Sequence, residues 1–248
     1  MSLRLAVISD IHGNLLALEA VLADIATRGV DATINLGDCV AGPLWPRETF
    51  ERLEELALPT VRGNHDRMIV DKPADQMPPA GLFAREALNE AQRATLYALP
   101  ATIQFTPEIL AVHGTPTDDS TYLLEEATED GRLAPIRRAV LHERLGDALD
   151  SPVVLCGHSH RQAAVAGPRG GLILNPGSVG CPVFADSAAA PTLEHRSPHA
   201  RYAVLTQRGG RWGAEMFALE YDWDAAARRA ADLGWPKWAQ ALATGHVA

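Results

Sequence analysis

Cysteine is scarce in this chain of 248 residues: Cys39, Cys156 and Cys181 are odd in number, widely spaced and without a C-x-x-C pair. That excludes a disulfide framework and a thiolate zinc module, and it reads as buried, reduced thiols in a cytosolic protein. Long apolar runs are missing too. No stretch approaches the roughly 18 residues of a membrane span, and Met1 to Asp10 shows neither an apolar leader core nor a cleavage signal. The expected location is the cytoplasm, with no membrane partner. Basic residues are outnumbered, 22 Lys and Arg against 31 Asp and Glu, for a net charge of −9. An extended nucleic-acid surface would need Lys/Arg stripes that are absent. A small anionic substrate remains compatible if a bound cation supplies local positive charge. No repeats occur, and the one biased tract is the Ala/Pro-rich loop Asp186 to Pro191. With 47% hydrophobic and 21% charged residues, the composition is that of an ordinary globular chain, expected to form a single domain over 1–248.

What is present is a set of five short polar blocks, each just past an apolar run. Ser9-Asp10-Ile11-His12 follows Leu5 to Ile8, Gly37-Asp38 follows Ile34 to Leu36, and Gly63-Asn64-His65-Asp66 follows Thr60-Val61. His113-Gly114 follows Ile109 to Val112, and Gly157-His158-Ser159-His160 follows Val153 to Cys156. Leu15, Leu18, Val21, Leu22 and Ile25 recur at helical spacing after Asn14, an expected N-cap, and before Gly29, an expected C-cap. Ala32 to Leu36 is an expected strand, Glu48 to Leu56 a helix, and Thr60 to Arg62 a third strand. Strands alternating with helices imply right-handed crossovers and a largely parallel start to the sheet, with ligands at the carboxyl ends of the strands. Asp71 to Pro79 is an expected loop and Gly81 to Leu99 one helix, placed as a lid or flank in a helical insertion over about 67–101. Ile103 to Val112 should form a hairpin, Thr115 to Thr121 a loop near the site followed by helical turns to Asp130, and Pro135 to Leu149 a helix. From Val153 onward, short strands with turns at Gly170-Gly171 and Gly209-Gly210 predict a mostly antiparallel sheet packed on the first. Asp222 to Leu233 and Lys237 to Ala243 are expected terminal helices.

Asp10 and His12 are two apart, as are His158 and His160, so side chains leaving an extended strand end share one side. Carboxylate, imidazole and amide groups without thiolates suit a borderline-to-hard divalent ion such as Mn, Fe, Co, Ni or Zn. Eight such groups exceed what one ion needs. Two ions sharing one carboxylate use them economically, and such a pair can hold a bridging hydroxide as nucleophile and clamp a phosphoryl group.

The motifs D-x-H, G-D, G-N-H-D, H-G and G-H-x-H, in this order from Asp10 to His160, resemble the calcineurin-like metallophosphoesterase superfamily. Asn175-Pro176-Gly177-Ser178 and the length look most like its small prokaryotic phosphodiesterase-like branch. The resemblance implies an α/β fold, an αββα sandwich of two packed mixed sheets flanked by helices, over nearly the whole chain. It also implies two divalent metal ions, Mn foremost. Asp10, His12 and His160 would hold the first, Asn64, His113 and His158 the second, with Asp38 bridging and His65 as general acid toward the leaving group of a small phosphomonoester or phosphodiester. Serine/threonine protein phosphatases usually continue G-D with an Asp-Arg pair. Here Cys39 to Pro43 follows instead, which argues against that activity. A nucleotide or dinucleoside polyphosphate hydrolase and a non-catalytic scaffold of the same fold are the alternative readings.

Outside the proposed ligand set, Arg62 is expected to pack rather than grip phosphate. Asp66 either orients His65 or caps a helix, Asn175 holds neighbouring backbone, and Gly177 serves a turn. His142, His195, His199 and His246 fall outside every block and are expected to be solvated. Cys39 and Cys156 should point into the core.

Overall fold

The run Leu5 to Ile8 is apolar at every position because both faces of its strand, β1 (Arg4–Ile8), are covered. Leu5 and Val7 pack with Ile109, Ala111, Val153 and Leu155 of a second sheet. Ala6 and Ile8 turn the other way, onto Leu18, Val21 and Tyr202. Side chains alternate across a strand, so a strand between a sheet and a helix must be hydrophobic throughout. A large apolar side chain buried in this way contributes about 1.5–3 kcal/mol.

The computed structural model describes residues 3–128, 133–184 and 193–246. After β1 come α1 (Leu15–Ala26), β2 (Ala32–Asn35), α2 (Pro46–Leu56), α3 (Asn64–Asp71), α4 (Pro79–Ala87) and α5 (Glu90–Ala98). Then follow β3 (Thr102–Thr106), β4 (Ile109–Val112), β5 (Glu125–Ala127), β6 (Leu133–Pro135), α6 (Arg138–Leu145) and β7 (Val153–Leu155). The chain continues through β8 (Ala163–Ala166), β9 (Leu172–Asn175), β10 (Val183–Phe184), β11 (Leu193–Glu194), β12 (Ala200–Arg208) and β13 (Arg211–Leu219) to α7 (Trp223–Asp232) and α8 (Pro236–Thr244).

Two mixed sheets face each other, one in the order β13-β12-β1-β2 and the other β3-β4-β7-β9-β8. Their facing surfaces share the cluster of Leu5, Val7, Ile34, Leu36, Ile109, Leu155, Leu174 and Leu205. Helix α1 covers the outer face of the first sheet and α6 that of the second. The result is the expected αββα sandwich. Among the described residues no helix is long and apolar enough to cross a membrane.

Several boundaries differ from expectation. Gly81 to Leu99 is two helices, because Asn89 and Gln92 form a reciprocal cap that starts α5: Asn89 Oδ1 accepts from Gln92 N at 2.9 Å and Gln92 Oε1 from Asn89 N at 3.0 Å. The third strand shrinks to one bridge between Asn35 and Thr60. Gly63 caps α3, so Asn64 and His65 open a helix. In place of helical turns after Thr121 there is the antiparallel pair β5–β6; residues 129–132, and Asp186 to Pro191, lie outside the described residues. Pro135 ends β6, and α6 stops at Leu145 before Gly146, where φ is 50°. The second half is not a separate antiparallel sheet: β7 runs parallel to β4 and β9, while β12 and β13 extend the first sheet beside β1. Local pattern finds strands but not partners distant in sequence.

Candidate metal centre

Strands β1, β2, β4 and β7 end at one rim, and the loops leaving them carry Asp10, His12, Asp38, His113, His158 and His160. Asn64 comes from the first turn of α3. All seven are buried, none more than 3% exposed. The backbone that places them is not extended. Asp10, His12, Asp38, His158 and His160 have φ of 56°, 51°, 55°, 66° and 58°, the left-handed region that non-glycine residues seldom occupy. The shared side expected from strand alternation therefore arises from two left-handed turns instead. Close approach of the loops demands glycine at two points. A Cβ on Gly63 would collide with the Asp38 carboxylate, and one on Gly157 with the Ser9 hydroxyl.

Each of the four histidines is anchored by one ring nitrogen on a backbone carbonyl. Nδ1–H donates from His12 to Ala41 O (2.8 Å), from His113 to Leu36 O (2.7 Å) and from His160 to Cys181 O (2.9 Å). His158 donates through Nε2–H to Ser120 O (3.0 Å). Since a carbonyl only accepts, the tautomer follows, and in a neutral ring the other nitrogen carries a lone pair. This is how proteins orient metal-ligating histidines.

The atoms that remain converge. The Nε2 atoms of His12 and His160 lie 3.1 Å apart, and Asp10 Oδ1 is 3.4 Å from His160 Nε2. Asp38 Oδ2 is 3.7 Å from His12 Nε2 and 3.4 Å from His113 Nε2. His113 Nε2 in turn lies 3.1 Å from Asn64 Oδ1. Candidate ligand atoms of Asp10, His12 and Asp38 lie within 4.8 Å of one another, and so do those of Asp38, His113 and His158; Asp38 is common to both groups.

The electrostatics are those of a nest of acceptors. Burial pushes the Asp10 carboxyl up to about 7 and His12 and His158 down to about 4 and 3, and it holds His160 well below the usual imidazole range. Burial also opposes charge on His113 and Asp38. Yet the Asp38 and Asp10 carboxylates raise His113 to about 10, and His113 in return holds Asp38 well below the usual carboxylate range. One imidazolium is thus matched to the Asp38 carboxylate. Two neutral imidazoles with lone pairs 3.1 Å apart, and the buried Asp10 Oδ1 and Asp38 Oδ2 without a hydrogen-bond partner, fit a bound cation. The N/O donor set fits divalent ions.

His65 follows Asn64 on α3. Its backbone N–H donates to Asp38 Oδ1 at 2.9 Å, and its ring stands edge-on to His12 at 5.4 Å, lining a cleft of about 310 Å³. Asp66 caps α3, one of its two expected roles. Its carboxylate accepts from the backbone N–H groups of Asp38, Cys39 and Gly63 at 2.8, 2.9 and 3.0 Å, binding the two loops together. Asn175 holds Gly157 O (2.7 Å) and Ser159 Oγ (3.2 Å), Gly177 turns with φ of 78°, and Asn14 caps α1, all as expected. Arg62 reaches Tyr97 O, outside the ligand cluster. Cys39 and Cys156 are buried.

Of the histidines outside the polar blocks, His142 and His246 are exposed as expected, whereas His195 and His199 need correction. His195 is partly buried, and burial together with Arg201 pushes it down to about 3. His199 accepts from or donates to Ser197 Oγ at 2.9 Å, and His246 meets Glu194 at 3.2 Å. Sequence reasoning also missed Cys181, whose sulfur lies with the His12 and His160 nitrogens. Burial raises this thiol and it donates to Val183 O at 3.0 Å, so it stays protonated as a wall of the pocket. The Arg67–Asp119 ion pair, 2.7 Å at both contacts, pins the loop that carries Ser120 O to α3. Neither had a local signal in sequence.

Comparison with known proteins agrees with this geometry. The chain is 27% identical over 259 residues to an uncharacterized protein of Methanocaldococcus jannaschii, covering 94% of each. A metallophosphoesterase from Sphaerobacter thermophilus has a TM-score of 0.74 at 26% identity, over 99% of this chain and 100% of that one. A hypothetical protein from Pyrococcus horikoshii shares the fold, with a TM-score of 0.75 at 20% identity over 99% and 100% of the two chains. The family model described as the calcineurin-like phosphoesterase superfamily domain matches residues 3–197, a span that holds every polar block of the rim. The chain therefore belongs to the calcineurin-like phosphoesterase superfamily, a family of hydrolases of phosphoric esters.

Proposed function

We propose that the protein hydrolyses small phosphomonoesters or phosphodiesters with the help of two divalent cations, Mn being the first choice for this donor set and Fe, Co, Ni or Zn the alternatives. Asp10, His12 and His160 would hold one ion and Asn64, His113 and His158 the other, with Asp38 between them. The observation that carries this reading is that four histidines, each fixed by a carbonyl, turn their remaining nitrogens toward two carboxylates without hydrogen-bond partners on one atom each. When bound, such ions supply Lewis acidity toward the phosphoryl oxygens and make water nucleophilic near neutral pH.

The chain's own residues do the rest. His65, held by its N–H on the Asp38 carboxylate and facing the cleft, gives a proton to the leaving oxygen as its bond to phosphorus breaks and the oxygen of water bonds to phosphorus. Asp66 keeps the loops of Asp38 and Asn64 at a fixed separation. The net charge of −9 supports a small substrate rather than a nucleic-acid polymer, and three buried free thiols support action in the cytoplasm.

The test is metal analysis of protein purified in Mn-containing buffer, followed by assays with nitrophenyl phosphate and bis-nitrophenyl phosphate. Binding of about two ions per chain with turnover of either ester is expected. His65→Ala should keep the metal and lose about a hundredfold or more in rate, most with poor leaving groups. Protein that stays metal-free sinks the reading.

A further inference from the structure

The cleft that His65 lines runs out from His12 between the start of α4 and the start of α8. Its volume of about 310 Å³ sits at the low end of small-molecule sites, which span about 300–1,000 Å³. It can take one ring system but not a polymer. Its walls differ in kind from the metal pocket. Pro78 and Pro79 line it from the start of α4, and Trp235, Lys237 and Trp238 from the start of α8.

Both indoles are partly buried and pack against the cluster of Leu44, Ala226, Ala230 and Leu242. The Trp235 ring also meets Phe83 of α4 edge-on, with centroids 6.2 Å apart, so the two walls are tied to each other. Aromatic side chains already fixed on a core lose little rotamer freedom when a ligand stacks on them. A slot of prolyl and indole surface rewards flat, polarizable rings over flexible chains.

We infer that this cleft is a leaving-group subsite, and that the substrate's leaving alcohol carries a planar aromatic ring seated between Pro78–Pro79 and the Trp235–Trp238 wall. The inference rests on the hydrolase reading above. The link is His65: the group that protonates the leaving oxygen stands in the lining of the cleft, so whatever that oxygen carries extends into it. A substituent on a non-leaving oxygen of phosphorus points elsewhere and goes unread. Nucleosides and aryl alcohols share the required ring, and the substrates below distinguish them.

Two matched pairs test the subsite, each differing in ring surface at similar leaving-group acidity: naphthyl against phenyl phosphate, and adenosine monophosphate against ribose phosphate. The Mn-loaded wild type should favour the first member of at least one pair by about tenfold in kcat/KM, the scale of one stacking contact. Preference in the nucleotide pair assigns a nucleoside, and preference in the naphthyl pair alone an aryl alcohol. Trp238→Ala should bring the ratio to within about twofold, whereas Trp238→Phe, which keeps a ring and fills the core, should retain most of it. Equal rates within both pairs, or a ratio unchanged in Trp238→Ala, overturn the inference.

A second readout is independent of turnover. Tryptophan fluorescence is titrated with naphthylmethylphosphonate and with methylphosphonate, neither of which can be hydrolysed. The naphthyl compound should bind about tenfold tighter to the wild type, and equal affinities overturn the subsite. If the loaded enzyme cleaves none of the four esters, the hydrolase reading fails by itself, and this titration still decides the cleft.

Discussion

At the hairpin end of the sandwich Gly170, Gly171, Gly209 and Gly210 turn the chain with positive φ; at the rim end Asp10, His12, Asp38, His158 and His160 do so. The backbone conformation is the same, and the residues could hardly differ more. A Cβ placed on Gly170, Gly209 or Gly210 would meet nothing within 4 Å, so these glycines are there for their dihedral angles alone. At the rim a side chain is indispensable, and each left-handed residue costs about 1–2 kcal/mol that glycine would not. The strain is held by the anchors on Ala41, Cys181 and Ser120 carbonyls and by the Asp66 bridge. Strained backbone that persists only because its surroundings impose it gathers at functional sites.

The comparison can be broken most forcefully at its centre. Asp38→Asn removes the charge common to both halves of the rim, and metal content and turnover should fall together, the rate by about a thousandfold or more. Wild-type activity in this variant would refute a shared carboxylate. A smaller loss is expected from Asp66→Asn, which replaces an acceptor of three N–H groups without touching the ligand cluster. Its folded circular dichroism spectrum should be retained while Mn affinity drops by about 10–100-fold. An unchanged dissociation constant would reduce Asp66 to an ordinary helix cap.

Acidity sharpens the contrast further. The folded pKa of His113, about 10, exceeds the unfolded value of about 6.5. Its contribution to stability is therefore fully present below the unfolded value and is lost as pH rises through the folded one. The melting temperature of metal-free protein should fall between about pH 7 and about pH 9. Mn-loaded protein, in which the cation replaces that proton, should show no such fall, and parallel profiles would contradict an acceptor nest. The smallest effect is a pair of stability measurements on metal-free protein. His12→Gly should be about 1 kcal/mol more stable than His12→Ala, and Gly209→Ala about 1 kcal/mol less stable than wild type.

Much of this arrangement was legible before any coordinates. Four of the five polar blocks from Asp10 to His160 follow strands, the Asn14 cap and the two Gly-Gly turns were visible, and the resemblance implied the sandwich that the structure has. What escaped has physical reasons. Left-handed φ at Asp10 or His158 is imposed by contacts between loops far apart in sequence, not by local preference. The break at Leu88-Asn89 lies inside a helical hydrophobic pattern, and only the Asn89–Gln92 pair marks it. Strand β5 is read as helical turns because it is only three residues long. Trp235 falls in the gap between the two expected terminal helices and Trp238 inside the second, and nothing in their neighbourhood announces that α8 folds back beside His65.

The position of β1 between β2 and β12 has a consequence for biosynthesis. Leu5 lies in register with Ala32 of β2 on one side and with Leu205 of β12 on the other. At translation speeds of roughly 5–20 residues per second, the earliest strand waits on the order of ten seconds or more for its second neighbour. Until then Leu5 to Ile8 is an uncovered apolar edge, the kind of segment that chaperones shield and that misassembles when crowded.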